Sequence, residues 1–189
     1  MLTIKLGACA DLLAVALPAS AAPTPGADCA PLLQQHLRTD LAQPFAAFDQ
    51  DDAGGWRPLA EAGCDAESAQ LIEAYAAAQP QPQPHPVLRW HAAQALAKAG
   101  DTARAIDLAR QTRHPDAAEA AAEFQWNACV DATIAFLQGD RRALDEQHER
   151  LAQATARAEI NRPNLVSVDR LQRCFGRPYK QAYLCRDPR

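Results

Sequence analysis

The sequence is poor in strand formers. Aromatic residues make up 6% of it, and valine and isoleucine are sparse, which leaves little material for the packed faces of a pleated sheet. It holds no H-E-x-x-H, G-x-S-x-G, P-loop or dinucleotide fingerprint. The best-marked routes to metalloprotease, serine-hydrolase and nucleotide-dependent chemistry are therefore closed. No C-x-x-C occurs, which removes zinc ribbons and thioredoxin-type redox sites. Beyond residues 1–22 no run stays apolar for the ~18 residues that a membrane-spanning helix needs. An excess of positive charge is missing too. The chain has 19 Lys and Arg against 23 Asp and Glu, a net charge of −4, which argues against general nucleic-acid binding.

What remains is rich in small apolar residues. Hydrophobic residues reach 48% of a 189-residue chain, enough for the core of one domain. Much of that fraction is alanine, which suits close helix–helix approach. The expected class is all-α.

Punctuation organises the chain. An apolar, alanine-rich segment runs through residues 88–99 to Gly100, Asp101 restarts the chain as a helix N-cap, and an amphipathic segment follows to Arg110. Similar stops fall at Gly63, Gly139 and Gly176, so the four glycines are spaced by 37, 39 and 37 residues. One stop–start signal in each period of about forty residues predicts about four stacked helical hairpins.

Residues 1–22 read as a secretory signal. Lys5 opens it, a mostly apolar run interrupted by Asp11 follows, and Ala19-Ser20-Ala21 offers an A-x-A cleavage site. Residues 23–189 then form a single helical-repeat domain, periplasmic or secreted. Cleavage would remove Cys9 and leave Cys29, Cys64, Cys129, Cys174 and Cys185. In an oxidising compartment, Cys29 with Cys64 would tie the first helix to the first repeat, and Cys174 with Cys185 would staple the hairpin at Gly176. Sequence alone does not fix connectivity, and a set of buried small hydrophobes in a reducing cell is the competing reading. Cys129 lies inside an apolar helix and is expected to be a buried thiol.

The spacing predicts a helix from about residue 28, with Leu33, Leu37 and Leu41 on one face and an end or bend at Pro44. Residues 48–55 are expected to form a loop, followed by a short helix over 56–62 and one capped by Asp65 that reaches Gln79. The alternating prolines of residues 80–86 predict an extended connector, with Pro86 opening the next helix. After the 88–110 hairpin, Pro115 is expected to open one long helix to Gly139. A charged helix runs from Asp140 to about Ile160, residues 161–164 form a break, and helices follow over 165–175 and after Pro178. Charge is uneven. Residues 40–73 carry eight acids against Arg57 alone, and residues 170–189 carry six bases against Asp187.

The hairpin at 88–110 resembles the tetratricopeptide repeat. Ala92-Ala93, Leu96, Gly100-Asp101, Ala105 and Ala109 fit that family's pattern of small residues, turn glycine and small crossing residue. Ala132, Ala135, Gly139-Asp140, Leu144 and Leu151 match in part, with Leu144 where a small residue is expected. The spacings exceed the family's roughly 34 residues. The resemblance implies a short right-handed solenoid of antiparallel helix pairs, with a concave groove that binds a peptide or protein. It places Arg57, Trp90, Gln94, Lys98, Trp126, Thr133, Arg170 and Arg173 toward that groove. Trp90 and Trp126 serve either as recognition anchors or as filling between alanine-rich helices.

Few residues invite chemistry. His91 borders the packed side of its helix, where a histidine bonded to a neighbour is the ordinary outcome. Asn127 and Asp131 are four apart in an apolar helix, so they can bond each other or cap a neighbouring loop, and Asp131 is the acid whose ionisation burial would disturb most. Asn164 and Asp169 recur at similar places in the last unit, which favours structural roles. Asp145, His148 and Glu149 lie at helical spacing without matching carboxylates elsewhere, which reads as a solvated face. Residues 49–54 resemble the opening of a calcium loop, but Ala53 and Ala60 stand where ligands belong. No metal or cofactor is expected. The sequence therefore points to a non-catalytic exported binding scaffold with an unidentified protein or peptide partner. The alternatives are an envelope inhibitor or immunity-type protein, and an enzyme on a helical scaffold using His91, Asp131 or His148.

Overall fold

A computed structural model describes residues 28–79 and 86–186. The expected signal sequence over residues 1–22 and residues 80–85 of the expected connector lie outside the described residues. Among the described residues there are only helices: α1 (Cys29–Thr39), α2 (Phe45–Asp49), α3 (Arg57–Glu61), α4 (Asp65–Ala78), α5 (Pro86–Ala99), α6 (Thr102–Arg110), α7 (Asp116–Ala121), α8 (Trp126–Gln138), α9 (Arg141–Arg157), α10 (Arg162–Arg173) and α11 (Tyr179–Tyr183), with a 3-10 turn at Glu159–Asn161. The all-α expectation holds. Helix α5 packs between α4 and α6, α8 packs on α9, and α10 lies against both α8 and α9. None of these helices is long and apolar enough to cross a membrane.

Three of the four predicted stops are the same turn. At Gly63, Gly100 and Gly139 the glycine N–H donates to the carbonyl three residues back, and the next N–H donates to the carbonyl five back: Cys64 to Leu59, Asp101 to Leu96 and Asp140 to Ala135, each at 2.9 Å. This is the six-to-one closure of a helix C-terminus, and it needs a left-handed residue at its corner. Gly176 also has positive φ, but Arg177 donates only three residues back, to Cys174, so the fourth stop is a different bend. Gly100 meets no atom that an added Cβ would strike. Gly100→Ala is therefore expected to cost only the left-handed strain, about 1 kcal/mol in a urea melt. At Gly55 a Cβ would run into the Phe48 carbonyl, so Gly55→Ala is expected to cost more than Gly100→Ala in the same melt.

The restarts differ in a telling way. The Asp101 and Asp140 carboxylates accept from Arg104 N–H and Ala143 N–H and cap α6 and α9. Asp65 does not cap α4, contrary to expectation. Cys64 occupies the N-cap position without a side-chain bond, because the residue after Gly63 is a cysteine where Gly100 and Gly139 are followed by aspartate. The Asp65 carboxylate instead accepts from Lys180 Nζ of α11 at 2.6 Å, across 115 residues. The acidic first part of the chain and its basic last part thus meet within one molecule. In an open stack each unit touches only its neighbours, whereas here α11 also packs on α5.

Two apolar clusters share α5. Leu33, Phe48, Trp56, Leu59, Leu71, Ile72 and Tyr75 gather around Leu88 and Ala92 on one side. On the other, Trp90, Ala93 and Leu96 join the core built by α6 and α8 to α11. Ala105 and Ala109 of α6 are fully buried. Leu144 is equally buried in α9, so the second hairpin accommodates a larger residue at that place.

Other expectations need correction. The stretch after Pro115 is two helices, because Ala122 turns extended (ψ 140) and α8 starts only at Trp126. The loop expected over 48–55 starts only after Asp49, because Phe48 and Asp49 belong to α2. The break expected at 161–164 falls earlier, at extended Ala158 and the 3-10 turn Glu159–Asn161, and Pro163 lies in the first turn of α10. The pairs Cys29–Cys64 and Cys174–Cys185 are both bonded. Cys129 is buried but disulfide-bonded, and no described cysteine is free. An apolar helical setting looks the same in sequence for a thiol and for a bridge.

Candidate functional site

The most polar interior feature is centred on Asp49, at the end of α2. Pro44 starts that helix, and the Gly54-Gly55 turn folds the chain back so that Trp56 returns to it. Asp49 is 0% exposed. One carboxylate oxygen accepts from Trp56 Nε1 at 3.2 Å and pairs with His91 Nδ1 at 2.7 Å, and the other accepts from Gln50 Nε2 at 2.6 Å. A carboxylate only accepts, so Nδ1 of His91 carries the proton in this bond. The Trp56 ring lies 5.2 Å from the imidazole, and the Arg57 guanidinium sits 4.4 Å above the indole. Burial pushes the Asp49 carboxyl up. The hydrogen bond and charge of His91, the Gln50 amide and the charge of Arg57 outweigh it and hold the group below the usual carboxylate range. Beneath this cluster Phe48 and Tyr75 stack with centroids 3.7 Å apart, and the Tyr75 hydroxyl donates to the Gln43 carbonyl. Burial, with the Asp49 charge second, pushes the Tyr75 phenol up.

This arrangement is the orienting half of a catalytic triad in outline only. Both members are closed off from solvent, and Asp49 joins α2 to α5 as a cross-link would. The calcium-like stretch dissolves for the same reason, since its first acid is buried against His91. Among the described residues, the group of His, Cys, Asp or Glu close enough to hold a metal is Cys29, Cys64 and Glu67. Its two sulfurs are bonded to each other, which removes both thiolates as ligands.

The other polar candidates are held in separate places. Asp131 pairs with Arg113 at 3.0 Å. Burial lifts its carboxyl above the ordinary range against the pull of Arg113 and Arg150. Asn127 does not meet Asp131 and instead clamps the 112–115 loop, accepting from His114 N–H at 2.8 Å and donating to its carbonyl at 2.9 Å. Asn161 repeats the device one unit later, accepting from Gln125 N–H and donating to the Glu123 carbonyl. That pair of asparagines carries the recurrence expected of Asn127 and Asn164. Asp145 and His148 are not simply solvated: Gln172 donates to Asp145 at 2.7 Å and His148 pairs with Asp169 at 2.6 Å, so both tie α9 to α10.

No family model, curated protein or solved structure matches this chain.

The residues assigned to a groove are divided by burial. Trp90, His91, Gln94, Trp126, Asn127 and Thr133 are buried, Arg57, Lys98, Asp131 and Arg170 are part-exposed, and Arg173 is exposed. Trp90 and Trp126 pack edge to face at 5.5 Å, and Trp126 Nε1 donates to the Thr112 carbonyl at 2.8 Å. Sequence reasoning missed Asp49, Asn161 and the Asp65–Lys180 pair. The only available signal was an aspartate beside a buried aromatic in Phe48-Asp49.

Proposed function

We propose that this chain is a tetratricopeptide-like binding scaffold of the cell envelope or exterior, without catalytic activity, whose partner is a protein or peptide. The observation that carries this reading is the separation of every candidate for chemistry. His91 pairs with Asp49, Asp131 with Arg113 and His148 with Asp169, so no two of the three share a site. An acid–base mechanism needs such groups within hydrogen-bond reach of one another or of a common substrate. The repeated turn at Gly63, Gly100 and Gly139 supports the helical-hairpin architecture. Two disulfides are compatible with a periplasmic or extracellular location.

The test is affinity capture from an envelope extract with the oxidised chain immobilised. A defined partner is expected on the wild-type column, and retention should fall by about tenfold with Arg170→Glu and Arg173→Glu together, whose side chains reach solvent. Circular dichroism would show the fold unchanged. Retention equal in wild type and variant, or turnover of ester, amide or phosphate substrates that Asp131→Asn abolishes, would overturn the reading.

A further inference from the structure

The disulfides Cys29–Cys64 and Cys174–Cys185 close among different charges. At Cys29–Cys64 a Glu67 carboxylate oxygen lies within 4.8 Å of both sulfurs, and Cys64 is 1% exposed. At the other bond, Cys174 follows Arg173 and Cys185 precedes Arg186. Both arginines are exposed and both cysteines part-exposed. In thiol–disulfide exchange the attacking and departing thiolates are anions, so a carboxylate beside the sulfurs opposes the reaction and guanidiniums favour it. The favoured bond brackets α11. That helix has five residues, far fewer than the roughly 12–15 an isolated helix needs. Tyr179 packs on Phe136 of α8, Tyr183 lies beneath Lys98 of α5, and Lys180 reaches Asp65 of α4. With Cys174–Cys185 open, such side-chain contacts alone hold α11 on the body, and its departure would uncover Phe136 and the end of α5.

We infer that Cys174–Cys185 is a redox switch: a dithiol reductant opens it ahead of Cys29–Cys64 and releases α11 from α4, α5 and α8. One reductant thiolate attacks Cys185 Sγ, the Cys174–Cys185 bond breaks, and Cys174 leaves as a thiolate that takes up a proton. The second reductant thiol then attacks the reductant's own sulfur in the mixed disulfide, and Cys185 leaves in turn. Two electrons and two protons pass to the chain, which ends with two thiols, while the reductant ends as an internal disulfide. The switch does not depend on which partner the scaffold takes.

The experiment treats the full oxidised chain with limiting dithiothreitol at low salt, quenches with iodoacetamide and locates the labelled cysteines by peptide mass spectrometry. Cys174 and Cys185 are expected to label at least about tenfold faster than Cys29 and Cys64. Arg173→Ala together with Arg186→Ala should slow reduction of the first bond by about threefold, and Glu67→Gln should speed that of the second by a similar factor. Hydrogen exchange of chains in which Cys174–Cys185 is open and Cys29–Cys64 closed should rise across residues 179–183, while α5 and α8 stay protected. Labelling of the two pairs at equal rates, labelling of Cys29 and Cys64 first, rates unmoved by the three substitutions, or α11 amides as protected after reduction as before would each overturn the inference.

Discussion

His91→Ala is expected to lower the stability of this protein by about 3–5 kcal/mol, the range for breaking a buried ion pair by removing one partner. The loss comes less from the missing bond than from what is left behind. Asp49 has no exposure, so without His91 it is a buried carboxylate with only the Trp56 and Gln50 donors to satisfy it. Asp49→Asn should cost less, because a neutral amide can still accept from His91 and Trp56. A double variant with both groups replaced by apolar ones should cost less than the two single apolar replacements added together, and a double-mutant cycle in urea measures the difference. Acid sharpens the test. A carboxyl held below its ordinary value of 3.8 stabilises the fold fully above that value, and the contribution is lost as pH falls through the folded-state pKa. The gap between wild type and Asp49→Asn should therefore shrink as pH falls below about 4. A gap that widens on acidification would show that Asp49 is not the stabilising anion described above.

The second large effect concerns the first helix. α1 has Leu33 as its single buried residue, so packing alone holds it weakly. Cys29–Cys64 closes a sequence separation of 35 residues, for which loop-closure entropy gives about 4 kcal/mol. The 11-residue closure of Cys174–Cys185 gives about 3 kcal/mol by the same model. Replacing Cys29 and Cys64 by serine together should lower the melting temperature more than replacing Cys174 and Cys185. It should also raise hydrogen exchange across α1 while α5 and α8 stay protected. Equal melting of the two variants, or exchange that rises evenly through the molecule, would contradict this account.

The parts of the fold that could be read in advance are those fixed by neighbouring residues. A glycine followed by aspartate is a local instruction, and it was followed at Gly100 and Gly139. At Gly63 the glycine kept its role and the cap was lost, because Cys64 has no oxygen to offer. The division of the 115–139 segment was hidden for the opposite reason. Residues 117–123 are nearly all strong helix formers, yet the chain breaks where Asn161, 36 residues onward, takes the Gln125 N–H, a tertiary contact overriding propensity. Asp49 was hidden in the same manner. Within its own neighbourhood it belongs to a run of acids that reads as a loop, and the partner that ties it to α5 is a histidine 42 residues away. The uneven charge was plain from composition, whereas its resolution by Lys180 and Asp65 depends on the path of the whole chain.

That last contact bears on how such a chain can evolve. Open arrays lengthen by duplicating a unit, since each copy needs only the one before it. Here an extra hairpin inserted between Gly139 and Gly176 would carry α11 away from Asp65 and leave an acid stranded at the far side. Lengthening the chain there would therefore lose the Asp65–Lys180 clasp, a cost that an array with contacts between neighbours alone does not carry.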